Sequence, residues 1–283
     1  MNPADRIGRL TGASVTELRV TGGQHLWRHY RGLLADGRQI FAKLSERHIG
    51  DLFRSEAGGL RWLSDAHAVP VPDVLGHDDH ALVLTWVQET EPTRAAADQF
   101  GTDLARLHQS GAGAFGAPWP GFIASLPQDN EQATSWPEWY ATRRLAPFLK
   151  RAADSNALTS SDVALVEQVI ARIDQLSGPA EPPARIHGDL WSGNLIWGTG
   201  RPHLVDPAAH GGHRESDLAM LALFGAPHLA RIQAAYNETT PLAPGWQSRV
   251  SLRQLHPLLV HACLFGATYA GSVRDAASSA LRA

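Results

Sequence analysis

The chain changes character once, and that change limits its possible folds more than any other feature. Up to Pro92 it reads as short strand-like runs: "SVTELRV", the paired glycines Gly22 and Gly23, "HLWRHYRGLL", and "QIFAKL". Asp36-Gly37, set between two alternating runs, signals a hairpin. In "QIFAKL" the side chains of Ile40, Ala42 and Leu44 share one face, while Phe41 and Lys43 point to the other, because successive strand residues alternate. One helical segment follows over residues 49–66, "VPVPDV" ends it, and "ALVLTWV" reads as a buried strand. After Pro92 the apolar period is helical almost throughout, the exception being "NLIW" and "HLVD", two short strands joined by "GTGR". The expected fold is α+β and two-lobed. Residues 1–88 form a small antiparallel sheet with one helix, and residues 89–283 form a larger, mostly helical lobe.

Composition narrows the classes of partner. With 25 basic and 28 acidic residues among 283, the net charge of -3 gives no positive field for nucleic acid or an anionic membrane. The single cysteine, Cys263, excludes an intrachain disulfide framework and fits a reducing compartment. The opening "MNPADRIGRL" has no basic region followed by an apolar core, so it does not read as a secretory signal. The most apolar late stretch, "PLLVHACLFGATYAG", is broken by His261 and falls short of the ~20 residues a membrane span needs. A cytoplasmic location is expected.

Within the first helix one residue is out of place. At ~100° per residue, Ile49, Leu52, Phe53, Leu60 and Leu63 form an apolar stripe, and Glu56 falls in its middle. Either that part of the helix is solvated, or the carboxylate is buried against a cation. The preceding strand offers Lys43. A strand lysine paired with a helix glutamate is the ion pair that holds ATP phosphates in kinase-type sites.

The stretch "RIHGDLWSGNLIWG" carries the second half of such a site. Asp189 and Asn194 are five positions apart, the spacing of a kinase catalytic aspartate and a magnesium-binding asparagine. A further acidic residue, Asp206, follows the short strand pair in "HLVDPAA". Carboxylate and carboxamide oxygens are hard ligands that suit Mg2+, which takes the rest of its shell from water and phosphates. Lys43, Glu56, Asp189, Asn194 and Asp206 occur in the order, and on the kinds of element, that phosphoryl transfer requires.

"IHGDLWSGN" is similar to the catalytic loop of the aminoglycoside phosphotransferase and choline kinase superfamily, whose fold is protein-kinase-like. "HGDLWSGN", "DPAAHGGHRESDLAM" and "GFIASLPQDNEQATSWPEWYATRRL" resemble, more narrowly, the fructosamine-3-kinase (ketosamine-3-kinase) family, and the likeness runs over essentially the whole chain. The resemblance implies phosphorylation of the 3-hydroxyl of ketosamines with ATP and Mg2+, which destabilises the adduct and frees the amine. It implies Asp189 as the catalytic aspartate, Asn194 and Asp206 as metal ligands, and Lys43 with Glu56 as the phosphate-binding pair. Gly22 and Gly23 would belong to the nucleotide loop, and Leu84, Thr85, Trp86 and Val87 to the adenine-facing hinge. Asp217 would brace the catalytic loop. Trp27 departs from the family's small polar residue in the nucleotide loop; it would pack beneath the loop as a strand residue.

Other residues are expected near the acceptor. Trp191 offers a ring for the C–H face of a sugar, and Asn130 and Trp136, in the long connection before the next helix, are substrate-side candidates. His187 is expected to steer the loop by hydrogen bonds, and Arg143 and Arg144 to lie on a solvated face. Alternative acceptors are an aminoglycoside, choline or homoserine. Two rival readings remain open: a metal-dependent hydrolase built on His210, His213 and Glu215, and a non-catalytic kinase-like binding module.

Overall fold

The computed structural model describes residues 2–23 and 26–283. It opens with a helix absent from the sequence reading, α1 (Pro3–Thr11). Its signals are local: the Asn2 side chain accepts from the Asp5 N–H (3.1 Å), and proline occupies the first turn. Five antiparallel strands then form one sheet, β1 (Val15–Gly23), β2 (Arg28–Leu34), β3 (Gln39–Leu44), β4 (Val74–Asp78) and β5 (Ala81–Thr85), in the order β1-β2-β3-β5-β4. Helix α2 (Leu52–Ser64) connects β3 to β4. The small lobe therefore carries two helices, one on each face of the sheet, where one was expected.

Strand alternation decides which side each residue serves. Ile40, Ala42 and Leu44 of β3, with Ala81 and Val83 of β5, pack with Ile7 of α1. On the opposite face Leu82 and Leu84 pack with Leu52, Phe53, Ala57 and Leu60 of α2. Lys43 pairs in register with Leu82, so its side chain leaves the sheet toward α2. The Gly58–Gly59 doublet weakens α2 as a helix but serves its packing. A methyl group on Gly59 would come within 3.2 Å of the Ala209 Cβ, so glycine lets α2 lie against the chain just after Asp206.

The larger lobe is helical: α3 (Arg94–Gln109), α4 (Trp136–Tyr140), α5 (Ala146–Asp154), α6 (Ser160–Ala171), α7 (Ile173–Leu176), α8 (Glu215–Phe224), α9 (Leu229–Thr239), α10 (Trp246–Phe265) and α11 (Ala270–Arg282). A π-helical turn, Ala141–Leu145, joins α4 to α5. The long connection before α4 contains a small hairpin, β6 (Gly121–Ile123) with β7 (Leu126–Gln128). Between α7 and α8, β8 (Ala184–Ile186) pairs with β11 (His210–Gly212) and encloses a second hairpin, β9 (Leu195–Trp197) with β10 (Pro202–Leu204). That nesting brings residues 187–194 and Asp206 to one end of the lobe, facing the sheet. No described helix is long and apolar enough to cross a membrane.

Candidate active site

Lys43 is 3% exposed, and its ammonium donates to both carboxylate oxygens of Glu56 at 2.9 Å. The solvated alternative for Glu56 does not hold: the side chain is buried on the packed face of α2. Lys43 also donates to Asp206 across the cleft. Burial opposes the lysine's charge, but the two carboxylates outweigh it and push its pKa up. Burial likewise works against ionisation of Asp206, yet Lys43 holds that carboxyl below its ordinary value. Asp206 sits at φ 53°, a left-handed conformation that aspartate tolerates better than most residues and that is a common form of local strain at functional sites.

The loop opposite is fixed by three side chains. Asp217, on the first turn of α8 and buried, accepts from the backbone N–H groups of His187 (2.8 Å) and Gly188 (2.9 Å). The Asp189 N–H donates to Nδ1 of His187 at 3.3 Å, so the other ring nitrogen donates to the Val205 carbonyl at 2.9 Å. Burial lowers the His187 pKa, in keeping with this neutral form. The Asn194 carboxamide N–H donates to the Asp189 carbonyl (2.8 Å) and to Asp189 Oδ2 (3.2 Å), which leaves its Oδ1 as the acceptor available to a cation. Burial, then the charge of Asp206, raises the Asp189 carboxyl to about 7, with the Asn194 bond pulling the other way.

Lys43, Glu56, Asp189, Asn194, Asp206 and Trp191 all line one cavity of about 900 Å3. One end of it sets three carboxylates, Glu56, Asp189 and Asp206, against one lysine. Asp189 and Asp206 repel each other there, which is the imbalance a divalent cation relieves, and the free donors are all oxygen.

Other residues lie elsewhere. Asn130 and Trp136 do not line this cavity. Asn130 is buried; its Oδ1 accepts from Arg144 (2.7 Å) and its N–H donates to the Trp119 carbonyl, so it ties the connection to the helix. Trp136 is buried with its ring stacked on Tyr140, 4.5 Å between centres, and beneath the Arg253 guanidinium at 3.8 Å. Arg144 is not solvated but 1% exposed, lying over Trp139 at 4.2 Å, whereas Arg143 pairs with Asp129 and Glu131. Leu84 is a core residue of the sheet, and the Thr85 and Trp86 amides are already bonded to Asp73 and Gln39 carbonyls at 3.0 Å each. Neither amide is therefore free to donate to a base. Trp27 is 5% exposed, edge-on to Phe53 of α2, and donates its indole N–H to His29 at 3.1 Å. It packs beside the cleft just ahead of β2. Gly22 and Gly23 end β1, opposite His29 and Arg28; the next two residues of their loop fall outside the described ones.

The hydrolase residues are otherwise engaged. The ring of His210 donates to the Ala208 carbonyl at 2.7 Å, and His213 packs edge-on to Trp136. Glu215 binds Arg249 and Arg253. Among the described residues no group of three His, Cys, Asp or Glu is placed to hold a metal ion. Sequence reasoning missed Phe224, His261, Phe265 and Tyr269, which line the far end of the cavity. The spacing of His261, Phe265 and Tyr269, four residues apart, was the available signal.

A lysine–glutamate pair on a five-stranded antiparallel sheet, facing an aspartate–asparagine loop on a helical lobe, defines the two-lobed protein-kinase-like class. The sequence profile of the fructosamine kinase family matches residues 8–283, and the chain belongs to that family, one of phosphotransferases. It is 35% identical to a Synechocystis protein named "Probable ketoamine kinase", over 99% of this chain and 96% of the relative. A crystal structure from Thermobifida fusca YX-ER1, provisionally named fructosamine-3-kinase, superposes with a TM-score of 0.97 at 52% identity, covering 100% of this chain and 99% of that one. A choline kinase from Streptococcus pneumoniae shares the fold alone, with a TM-score of 0.64 at 16% identity over 99% of this chain and 97% of the other.

Proposed function

We propose that the protein is an ATP- and Mg2+-dependent kinase that phosphorylates the 3-hydroxyl of ketosamines, such as fructosamines or ribulosamines, in the cytoplasm. The single observation that carries the chemistry is the convergence of Asp189, Asn194, Asp206 and the Lys43–Glu56 pair on one cavity. Membership of the fructosamine kinase family supports the choice of acceptor. In this reading residues 1–88 hold the nucleotide and residues 89–283 hold the acceptor.

Lys43, oriented by Glu56, would bind the nucleotide phosphates, and Asn194 Oδ1 with the Asp206 carboxylate would hold Mg2+. The ion supplies charge neutralisation on the phosphates. Asp189, held by the Asn194 carboxamide at the mouth of the loop, would accept the proton of the attacking hydroxyl. Asp217 and His187 keep the loop in place through its backbone, so Asp189 needs little reorganisation when the acceptor arrives.

The test is ATP consumption across a panel of one ketosamine, one aminoglycoside, choline and homoserine, with Asp189→Asn as control. Turnover of the ketosamine above all others is expected, lost in Asp189→Asn while both ligands still bind. Preference for choline or the aminoglycoside would overturn the acceptor assignment and leave the kinase chemistry standing.

A further inference from the structure

The cavity continues past Asp189 into a region that phosphoryl transfer does not use. Trp191 begins it, with its ring lying over Gly193, where a methyl group would come within 2.3 Å. Phe224, at the end of α8, stands 6.2 Å from Trp191 between ring centres, and His261 of α10 stands 5.1 Å from Phe224. Phe265 and Tyr269 follow at 5.6 and 4.8 Å from His261. The rings come from three separate parts of the chain and form a continuous rail.

Two observations say that the rail has an occupant. Among the described residues four large hydrophobic side chains are markedly exposed, and three of them are Trp191 (39%), Phe224 (43%) and Phe265 (60%). Scattered apolar exposure is ordinary, but three such rings gathered at one end of one cavity mark a binding surface. In addition, the Asp, Glu, Lys and Arg side chains lining the cavity are Lys43, Glu56, Asp189 and Asp206, all at the catalytic end. The rail itself carries no Asp, Glu, Lys or Arg side chain.

Covalent geometry says what reaches it. In a ketosamine the amine nitrogen is four bonds from the 3-hydroxyl oxygen, and at ~1.5 Å per bond it lies no more than about 5 Å away. With that oxygen at Asp189, the nitrogen stays within that radius, and Trp191, which lines the same cavity on the side of the rail, offers an indole face to a protonated amine. Whatever the nitrogen carries then extends toward Phe224.

We propose that this rail receives the substituent on the acceptor's amine and selects uncharged apolar substituents, aromatic ones above all, over short or anionic ones. The proposal rests on the ketosamine reading. The experiment compares kcat/KM for the fructosamine of benzylamine with that of glycine, in the wild-type enzyme and in the Phe224→Ala, Phe265→Ala double variant. Both side chains are substantially exposed, so the core is untouched, and the KM for ATP reports that the nucleotide site is intact. The wild-type ratio is expected to be about tenfold or more. It should fall toward one in the double variant and be restored by Phe224→Tyr in place of Phe224→Ala. Equal efficiency on the two ketosamines, or a preference unchanged in the double variant, overturns the rail's role. Turnover of choline or an aminoglycoside with no ketosamine turned over overturns the ketosamine reading, and the rail's role with it.

Discussion

Lys43 is bonded to Asp206 across the cleft as well as to Glu56 within its own lobe. The residue proposed to bind phosphate is thus tied directly to the residue proposed to bind metal. In the proposed reading Mg2+ bound at Asp206 would take over the neutralisation that Lys43 gives that carboxylate here, which would leave Lys43, still held by Glu56, to the phosphates.

That exchange sets the first expectation. Nucleotide should stabilise the folded protein far more with Mg2+ than without it, since a ligand of the folded state alone raises its stability. Asp206→Asn should lower turnover by about a thousandfold or more and remove most of the Mg2+ dependence of nucleotide binding. Thermal shift with and without the ion reads it. Equal shifts in the wild type, or near-normal activity in Asp206→Asn, would refute the metal assignment.

Lys43 and Glu56 should act as one unit. Glu56→Ala is expected to raise the KM for ATP and lower kcat, because Lys43 is left to Asp206 alone. Lys43→Ala should cost at least as much, and the double variant should be little worse than Lys43→Ala. Steady-state kinetics on the four proteins gives the coupling. Additive losses would mean that the pair does not cooperate in turnover.

The histidines of the larger lobe carry a pH signature. Burial, with Arg144 adding to it, lowers His210 to about 3. Its folded pKa is below the unfolded value near 6.5, so below that pH the unfolded chain takes up the proton first and stability is lost as pH falls toward 3. Asp189 and Glu56, whose pKa values are raised, oppose this trend in the whole protein, so the test is a difference. The stability cost of His210→Asn, from denaturant unfolding, should shrink by about 1 kcal/mol between pH 7.5 and 5.5. A cost that stays constant over that range would show that His210 does not titrate as buried.

Local pattern made much of the small lobe legible. Alternation in "QIFAKL" separated Ile40, Ala42 and Leu44 from Lys43, and the register of β3 on β5 keeps that separation. Helix α1 escaped because it is short, nine residues that bury one side chain, Ile7, so that its clearest signals are the Asn2 cap and the proline of its first turn. The destinations of Asn130 and Arg144 were not legible for a different reason. Asn130 lies just after the β6–β7 hairpin and Arg144 in the π-helical turn after α4, and the direction in which the chain turns between those elements is not carried by sequence spacing.

The sequence alone determined the two-lobed division, the alternation that aims Lys43 at α2, and the spacing that puts Asp189 and Asn194 in one turn, because each follows from backbone periods of a few residues. Only the tertiary structure decided that Lys43 reaches Asp206, 163 positions away, and that Asp217 grips the loop by its amides. It alone decided that Trp191, Phe224 and His261 form one surface. Such contacts depend on how α2, α8 and α10 pack against the loop, and packing is settled by the fit of side chains distant in sequence rather than by any period within it.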